Sequence, residues 1–194
     1  MIYSMLQRLT KLAFLTLIPT ILLAHGSHGN GVMAGFTHPI LGVDHNIALL
    51  GCGILGYIAK PTKWYLAPLA FILAMVIGGY IGIGHEATPT VEKVIALSVL
   101  SIGIMVAYVK RFNFLLIVGV LFVFGFFHGY AHGAEMEESN SAVKYIPGYM
   151  LGAMLLAAIG ILIGKQISHK SQEEAFITLV GGIIIGCGIM MLLP

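Results

Sequence analysis

Six long apolar stretches, separated by short polar connections, fill most of this sequence of 194 residues. They lie at about residues 36–59, 64–84, 91–109, 114–133, 143–164 and 175–193. Each is long enough to cross a bilayer as a helix, which takes roughly 20 residues. Only 9% of the residues are charged, whereas a soluble domain carries about a quarter, so lipid must cover most of the surface. The sequence therefore predicts an all-α membrane protein whose residues 25–194 form one six-helix transmembrane bundle.

The first 24 residues resemble a secretory signal peptide. Arg8 and Lys11 precede the apolar run 12–24, which at about 13 residues is short for a membrane span. We expect cleavage after Ala24. Leu22, at the −3 position, fits the small-residue rule poorly, which leaves an uncleaved anchor as the alternative.

Basic residues indicate how the bundle is oriented. Because Lys and Arg accumulate in cytoplasmic loops, the connections richest in them are predicted to be cytoplasmic. Those connections hold Lys60, Lys63, Lys110, Arg111, Lys165 and Lys170, whereas the alternate ones hold Lys93 and Lys144. We therefore predict that the mature N-terminus and the C-terminus lie outside the cytoplasm. A net charge of +2 without a basic stripe gives no reason to expect nucleic acid as a partner.

Glycines spaced four residues apart recur in the predicted spans, and such spacing lets helix backbones approach closely in a membrane. They are Gly78 and Gly82, Gly125, Gly129 and Gly133, Gly148 and Gly152, Gly160 and Gly164, and Gly182 and Gly186. A tightly packed bundle explains most of them without a functional role. Cys52 and Cys187 lie inside apolar runs and are interpreted as small packing residues.

Most histidines and acidic residues fall on the predicted outer side. This set comprises His25, His28, His38, His45, His85, His128 and His132, with Asp44, Glu86, Glu92, Glu135, Glu137 and Glu138. Only His169, Glu173 and Glu174 are predicted to be cytoplasmic. Several separate stretches of chain thus bring imidazoles and carboxylates to one level of the membrane. This convergence is the main indication of function.

The first span carries His-Pro-Ile-Leu-Gly-Val-Asp-His at residues 38–45. On a continuous helix His38 and His45, seven residues apart, would share a face. An ionised Asp44 within the membrane costs roughly 2.5–3.5 kcal/mol, so it should face the bundle interior and have a partner. The proline after His38 disfavours helical geometry at that histidine. A hydrogen bond between helices and a core histidine are the structural alternatives for Asp44 and His38.

The fourth span ends with His128, His132 and Glu135, which share one face if the helix persists. Paired histidines one turn apart commonly bind a metal, although either alone could be a core residue. Glu92, at the start of the third span, could join them or simply favour the helix N-terminus. Imidazole and carboxylate without thiolate suit nickel, cobalt, zinc, copper(II) or iron(II), not copper(I).

At these motifs the sequence resembles the HupE/UreJ family of nickel permeases. The resemblance rests on Gly-Phe-Thr-His-Pro-Ile-Leu-Gly-Val-Asp-His, on Val-Glu-Lys-Val-Ile-Ala-Leu-Ser and on Phe-His-Gly-Tyr-Ala-His-Gly-Ala-Glu, and it covers almost the whole chain. It implies a small six-span inner-membrane protein that imports nickel, or cobalt, for hydrogenase or urease maturation. The implied metal-binding residues are His38, Asp44, His45, His128, His132, Glu135 and Glu92. Asn46 and Leu49 stand where the family tends to have an apolar residue and a methionine, so metal handling is better supported than metal identity.

The predicted function is import of a divalent transition metal, with nickel as the first candidate, as a transported substrate and not as a permanently bound cofactor. The lipid bilayer and the metal ion are the expected partners, and a homo-oligomer is compatible with the sequence. We do not expect an enzyme, and the sequence carries no nucleotide-binding motif for ATP hydrolysis. Two alternatives remain: an intramembrane zinc hydrolase, in which Asp44 or Glu135 acts on bound water, and a metal sensor or accessory subunit that conducts nothing.

Overall fold

The computed structural model describes residues 31–136 and 141–193, and every regular element within these ranges is helical. The helices are α1 (Val32–Leu41), α2 (Val43–Ala59), α3 (Leu66–Gly82), α4 (Pro89–Ala107), α5 (Phe114–Ala134), α6 (Ala142–Ser168) and α7 (Glu173–Leu192), with 3-10 turns at Pro61–Lys63 and Val109–Arg111. The predicted signal segment, together with His25, His28, Glu137 and Glu138, lies outside the described residues. The predicted all-α fold class is confirmed.

Five of the helices are long and apolar enough to cross a membrane, and α1 with α2 would make a sixth span if the pair counts as one. The prediction of a single straight helix over residues 36–59 is wrong. The chain leaves helical geometry at Gly42, where φ is −73° and ψ is 117°, and α1 and α2 meet at an angle of 82°. Residues 32–59 therefore form two helices joined at a sharp bend.

Local sequence sets where the other helices begin and end. Thr88 caps α4, because its hydroxyl oxygen accepts a hydrogen bond from the Val91 amide, and Pro89 occupies the first helical position. Asn113 caps α5 by accepting from the Leu115 amide at 2.8 Å. Gly84, with φ of +78°, allows the turn after α3. Because only a short turn separates α3 from α4, α4 begins at the end of the bundle where α3 ends.

Glycines allow α3 and α5 to pack backbone against backbone. A Cβ atom on Gly129 would overlap the carbonyl oxygen of Met75, and one on Gly133 would overlap that of Gly79. The contacts advance in the same sense along both helices, so α3 and α5 run parallel. The predicted role of glycine spacing is confirmed for this pair. The close packing of α3 against α5 also fixes the position of the α5 histidines along the bundle axis.

The remaining five helices form a group of three and a further pair. Both α1 and α2 pack along α6 through Gly35, Gly53, Gly148, Gly152, Gly160 and Gly164. Helix α4 packs antiparallel to α7, where Gly181 meets Ala107 and Gly188 meets Leu100. Gly182 and Gly186 differ, since a Cβ on either would meet nothing within 4 Å. Their spacing has no packing role within the described chain.

These helix directions give the bundle two chemically distinct ends. The histidine end holds His38, His85, Glu92 and Glu135, and the lysine end holds Lys60, Lys110 and Lys165. At the lysine end Lys110 donates a hydrogen bond to Glu174 at 2.5 Å, and this carboxylate raises the pKa of Lys110. The pair joins the ends of α4 and α7.

Candidate metal-binding site

The break at Gly42 shapes one wall of the site. A Cβ there would lie 2.9 Å from Nδ1 of His45 and 3.1 Å from a carboxylate oxygen of Asp44, so glycine leaves room for both side chains. The Asn46 side chain donates from Nδ2 to the carbonyl oxygens of Ile40, at 2.5 Å, and Gly42, at 3.0 Å. Asn46 therefore stabilises the bend by satisfying carbonyl groups at the helix break.

The bend brings two predicted site residues together in an unexpected way. The prediction that His38 and His45 share one face of a continuous helix is wrong, because the helix is interrupted between them. Their ring centroids nevertheless lie 6.2 Å apart, since α1 folds across the start of α2. The expectation that Pro39 would remove His38 from helical geometry is also wrong: both residues lie within α1, and the His38 carbonyl accepts from the Gly42 amide at 3.1 Å.

Four imidazoles from α1, α2 and α5 form one cluster. The ring centroid of His132 lies 4.3 Å from that of His45 and 4.7 Å from that of His38, and His128 lies 4.9 Å from His45. His128 and His132 are fully buried, and His45 is 5% exposed. The structure thus gathers all four predicted histidines, whereas Glu135 caps the end of α5 and is exposed.

Asp44 determines which nitrogen of His45 is free. Its Oδ1 lies 2.7 Å from Nδ1 of His45 and 2.8 Å from the His45 backbone nitrogen. Because an ionised carboxylate only accepts, Nδ1 must carry the proton. The other nitrogen, Nε2, is buried and has no hydrogen-bond partner among the described residues. A carboxylate behind an imidazole in this way is typical of histidines that bind metals.

His132 packs against neighbouring aromatic rings. It stacks on Tyr149 at a centroid distance of 5.0 Å, with 14° between the planes, and the Tyr149 hydroxyl donates to the Met75 carbonyl at 2.9 Å. In the part of the chain that the structure covers, neither nitrogen of His132 has a hydrogen-bond partner. An unsatisfied buried polar group costs about 1–3 kcal/mol, so such groups call for an explanation. In a neutral imidazole one of these nitrogens carries a proton and the other a lone pair, and a bound cation would satisfy that lone pair.

His38 and Glu135 stand nearer the mouth of the site. Nε2 of His38 lies 3.0 Å from a carboxylate oxygen of Glu135. One ligand atom from each of His38, His132 and Glu135 can be chosen so that all lie within 4.8 Å of one another, a spacing that a metal ion could bridge. His128 extends the imidazole cluster more deeply, and its Nε2 lies 2.8 Å from the hydroxyl oxygen of Ser98 on α4.

A cavity of about 320 Å³ adjoins the cluster. It is lined by Asp44, His45, Glu92, Ile95, Ala96, Glu135 and Met191. Glu92 therefore lies at a shared cavity with Asp44 and Glu135, while Thr88 caps the helix. Three carboxylates beside the histidines would attract a cation and disfavour anions.

Some contributing residues could not be identified from sequence patterns. Tyr149 sits in an apolar span, where a tyrosine gives no sign that it stacks on a histidine. Met191 lines the cavity from the end of α7, although methionine in such a span is usually a packing residue. Asn46 was noticeable as a polar residue beside the motif, but its role required the helix break.

The fold and site together define a polytopic helical membrane protein with a buried imidazole cluster beside a carboxylate-lined cavity. A family profile described as "HupE / UreJ protein" matches residues 12–191. "Protein HupE" of Rhizobium leguminosarum bv. viciae is 32% identical over 185 residues, covering 94% of this chain and 95% of that relative. The chain belongs to the HupE/UreJ family, which suggests a nickel or cobalt transport or accessory role. No solved structure matches it.

Proposed function

We propose that this protein imports a divalent transition metal, with nickel as the first candidate, across the bacterial inner membrane. One observation carries the proposal: buried imidazoles cluster at one end of the helical bundle, beside an acidic cavity, and some of their nitrogens have no hydrogen-bond partner among the described residues. Neutral imidazole nitrogen is a common ligand for nickel, cobalt and zinc. The family membership supports the same class of cargo.

Capture would begin in the cavity. Asp44, Glu92 and Glu135 present carboxylates there and would concentrate a hydrated divalent cation. The ion would then exchange water for ligands among Glu135, His38 and His132, whose ligand atoms already lie close together. Binding at several partial sites, instead of one closed four-ligand cage, would let the ion leave again.

Deeper transfer would involve His45 and His128. Each has one buried nitrogen without a hydrogen-bond partner among the described residues, and the rings are adjacent. In this proposal Asp44 holds His45 in its ligand form, and Glu92 acts by charge at the cavity. An ion could thus pass from the mouth to the deeper imidazoles by exchanging ligands.

An apolar layer lies between the site and the lysine end in this conformation. Leu49, Ile102 and Leu121 follow the site residues inward on α2, α4 and α5, and each is at most 1% exposed. The side chains of this apolar layer offer no ligand for a metal. In this proposal the ion is released from a second conformation in which the layer separates, as in alternating-access transporters.

Purified protein in liposomes that contain a metal-quenched dye would test the proposal. We expect nickel added outside to quench the dye, and a variant with His45→Ala and His132→Ala to abolish quenching. Glu174→Gln is the matched control, because Glu174 is an exposed acid at the lysine end. Binding of nickel without influx would identify a sensor or accessory subunit instead and would reject transport. Competition by cobalt, zinc and copper in the same liposomes would rank the cargo.

A further inference from the structure

Ser98 is a fully buried hydroxyl in the middle of α4, and it contacts the imidazole cluster from a helix that carries none of its histidines. Its Oγ lies 2.6 Å from the carbonyl oxygen of Ile95 and 2.8 Å from Nε2 of His128. The two contacts leave the hydroxyl within hydrogen-bond distance of both groups at once. The arrangement determines where the protons lie.

A serine hydroxyl has one proton to donate, and a carbonyl oxygen can only accept. The short contact with Ile95 must therefore use the Ser98 proton. Ser98 Oγ can then only accept from His128, so Nε2 of His128 carries a proton. In the neutral imidazole the other nitrogen, Nδ1, is left as a bare lone pair. Nδ1 is buried and has no hydrogen-bond partner within the described ranges.

We infer that Ser98 is a positioning residue for metal transfer: it holds His128 in the Nε2-protonated tautomer and so presents Nδ1 as the ligand atom. The inference rests on the proposed function. Asp44 imposes the opposite tautomer on His45, whose free atom is Nε2. The two neighbouring rings, 4.9 Å apart, thus offer different nitrogens. Because Nδ1 lies next to the Cβ atom, an ion bound there would sit closer to the α5 backbone than one bound at Nε2.

A purely structural role for Ser98 is the competing explanation. Buried serines in helices often donate to a carbonyl of the preceding turn, and that bond alone would satisfy the hydroxyl. A purely structural role of this kind would not depend on which His128 nitrogen carries the proton. Without an acceptor at Nε2, however, His128 could move its proton to Nδ1, where it would block the ligand position. The tautomer therefore separates the two explanations.

The first measurement is made on metal-free protein in lipid, so it does not depend on transport. Nitrogen-15 NMR of labelled histidines distinguishes the two neutral tautomers, and the His128 signals can be assigned from their absence in His128→Asn. We expect Nε2 to be protonated and Nδ1 bare in the wild type. A protonated Nδ1 in the wild type would overturn the inference without requiring any Ser98 variant to fold.

The second measurement compares variants. Ser98→Thr keeps the hydroxyl and adds a methyl group. Ser98→Val has nearly the shape of threonine but lacks the hydroxyl, and Ser98→Ala removes the hydroxyl without adding volume. Ser101→Ala is the matched control, since Ser101 lies three residues further along α4 and has no hydrogen bond to the cluster in the described structure. Loss of support behind a metal-binding histidine typically lowers affinity or activity about 10–100-fold. We expect losses of this size in nickel affinity and influx for Ser98→Ala and Ser98→Val, and recovery in Ser98→Thr.

The possible outcomes distinguish a failure of the Ser98 inference from a failure of the proposed transport function. If wild-type protein admits no metal, the transport proposal fails, while the NMR result still decides the tautomer. If the wild type transports and Ser98→Ala matches Ser101→Ala in influx, the inference is wrong and transport stands. Should Ser98→Thr prove too large for the buried site, the comparison of Ser98→Ala with Ser101→Ala and the wild-type spectrum still decides the question.

Discussion

Replacing Asp44 with asparagine would remove one negative charge from the site and leave the size of the side chain nearly unchanged. Asp44 accepts two hydrogen bonds through Oδ1, one from the His45 ring and one from its backbone amide. The amide oxygen of asparagine could accept from the same donors. The variant therefore tests the charge behind the imidazole with little change in shape.

The size of the effect follows from these contacts. A hydrogen bond to a charged group contributes about 1.5–3 kcal/mol net, against about 0.5–1.5 kcal/mol for a neutral one. The expected loss at the His45 ring is therefore about 1–1.5 kcal/mol. Reduced attraction of the cation into the cavity adds to this, because Asp44 is one of three carboxylates there. We expect a loss of about tenfold or more in uptake at low metal concentration, within the range typical of groups behind a metal ligand.

Initial rates of radioactive nickel uptake by expressing cells, normalised to protein in the membrane, would measure this loss. Asp44→Ala should be more severe than Asp44→Asn, because it also frees His45 to change tautomer. Glu174→Gln serves as the acid control, since it removes a carboxylate at the other end of the bundle. Uptake by Asp44→Asn within twofold of Glu174→Gln would refute the assigned role of Asp44.

Two further predictions concern packing around the site. Gly129→Leu should lower the melting temperature strongly, because the leucine side chain would overlap the Met75 backbone. Gly182→Leu should leave it unchanged, because the space beside Gly182 is open within the described chain. Size-exclusion chromatography after heating would measure both. Asn46→Ala should destabilise the protein by about 1–3 kcal/mol in a denaturation assay, since two carbonyl groups at the helix break would lose a donor, and unchanged stability would contradict the role given to Asn46.

Hydropathy predicted most of the fold because, in lipid, a backbone must satisfy its own hydrogen bonds and long apolar segments have little choice but to form helices. The histidines of the site were identified for a related reason, since polar residues inside a membrane are rare and functional. The break at Gly42 escaped prediction. Helical periodicity assumes a continuous helix, and Pro39, the more obvious helix breaker, remains inside α1.

Contacts between residues far apart in the sequence could not be predicted either. Ser98 and His128 are 30 positions apart, and no local pattern couples them. The stacking of Tyr149 on His132 depends on how α6 crosses α5, which hydropathy does not determine. The sequence therefore indicated the candidate metal ligands, whereas the contacts that orient them emerged only from the packing.

Release of the metal towards the lysine end can be tested by thiol labelling of Cys52. Cys52 lies one turn beyond Leu49 on α2 and is fully buried, so a membrane-impermeant thiol reagent should not reach it in this conformation. If the apolar layer separates during transport, labelling of Cys52 from the lysine end should accelerate when cargo metal saturates the protein. The experiment would use Cys187→Ser protein in inside-out vesicles, because Cys187 is the second free thiol, and Cys52→Ser would set the background. Equal labelling with and without metal, in vesicles that still transport it, would show that the ion leaves by a route that does not pass Cys52.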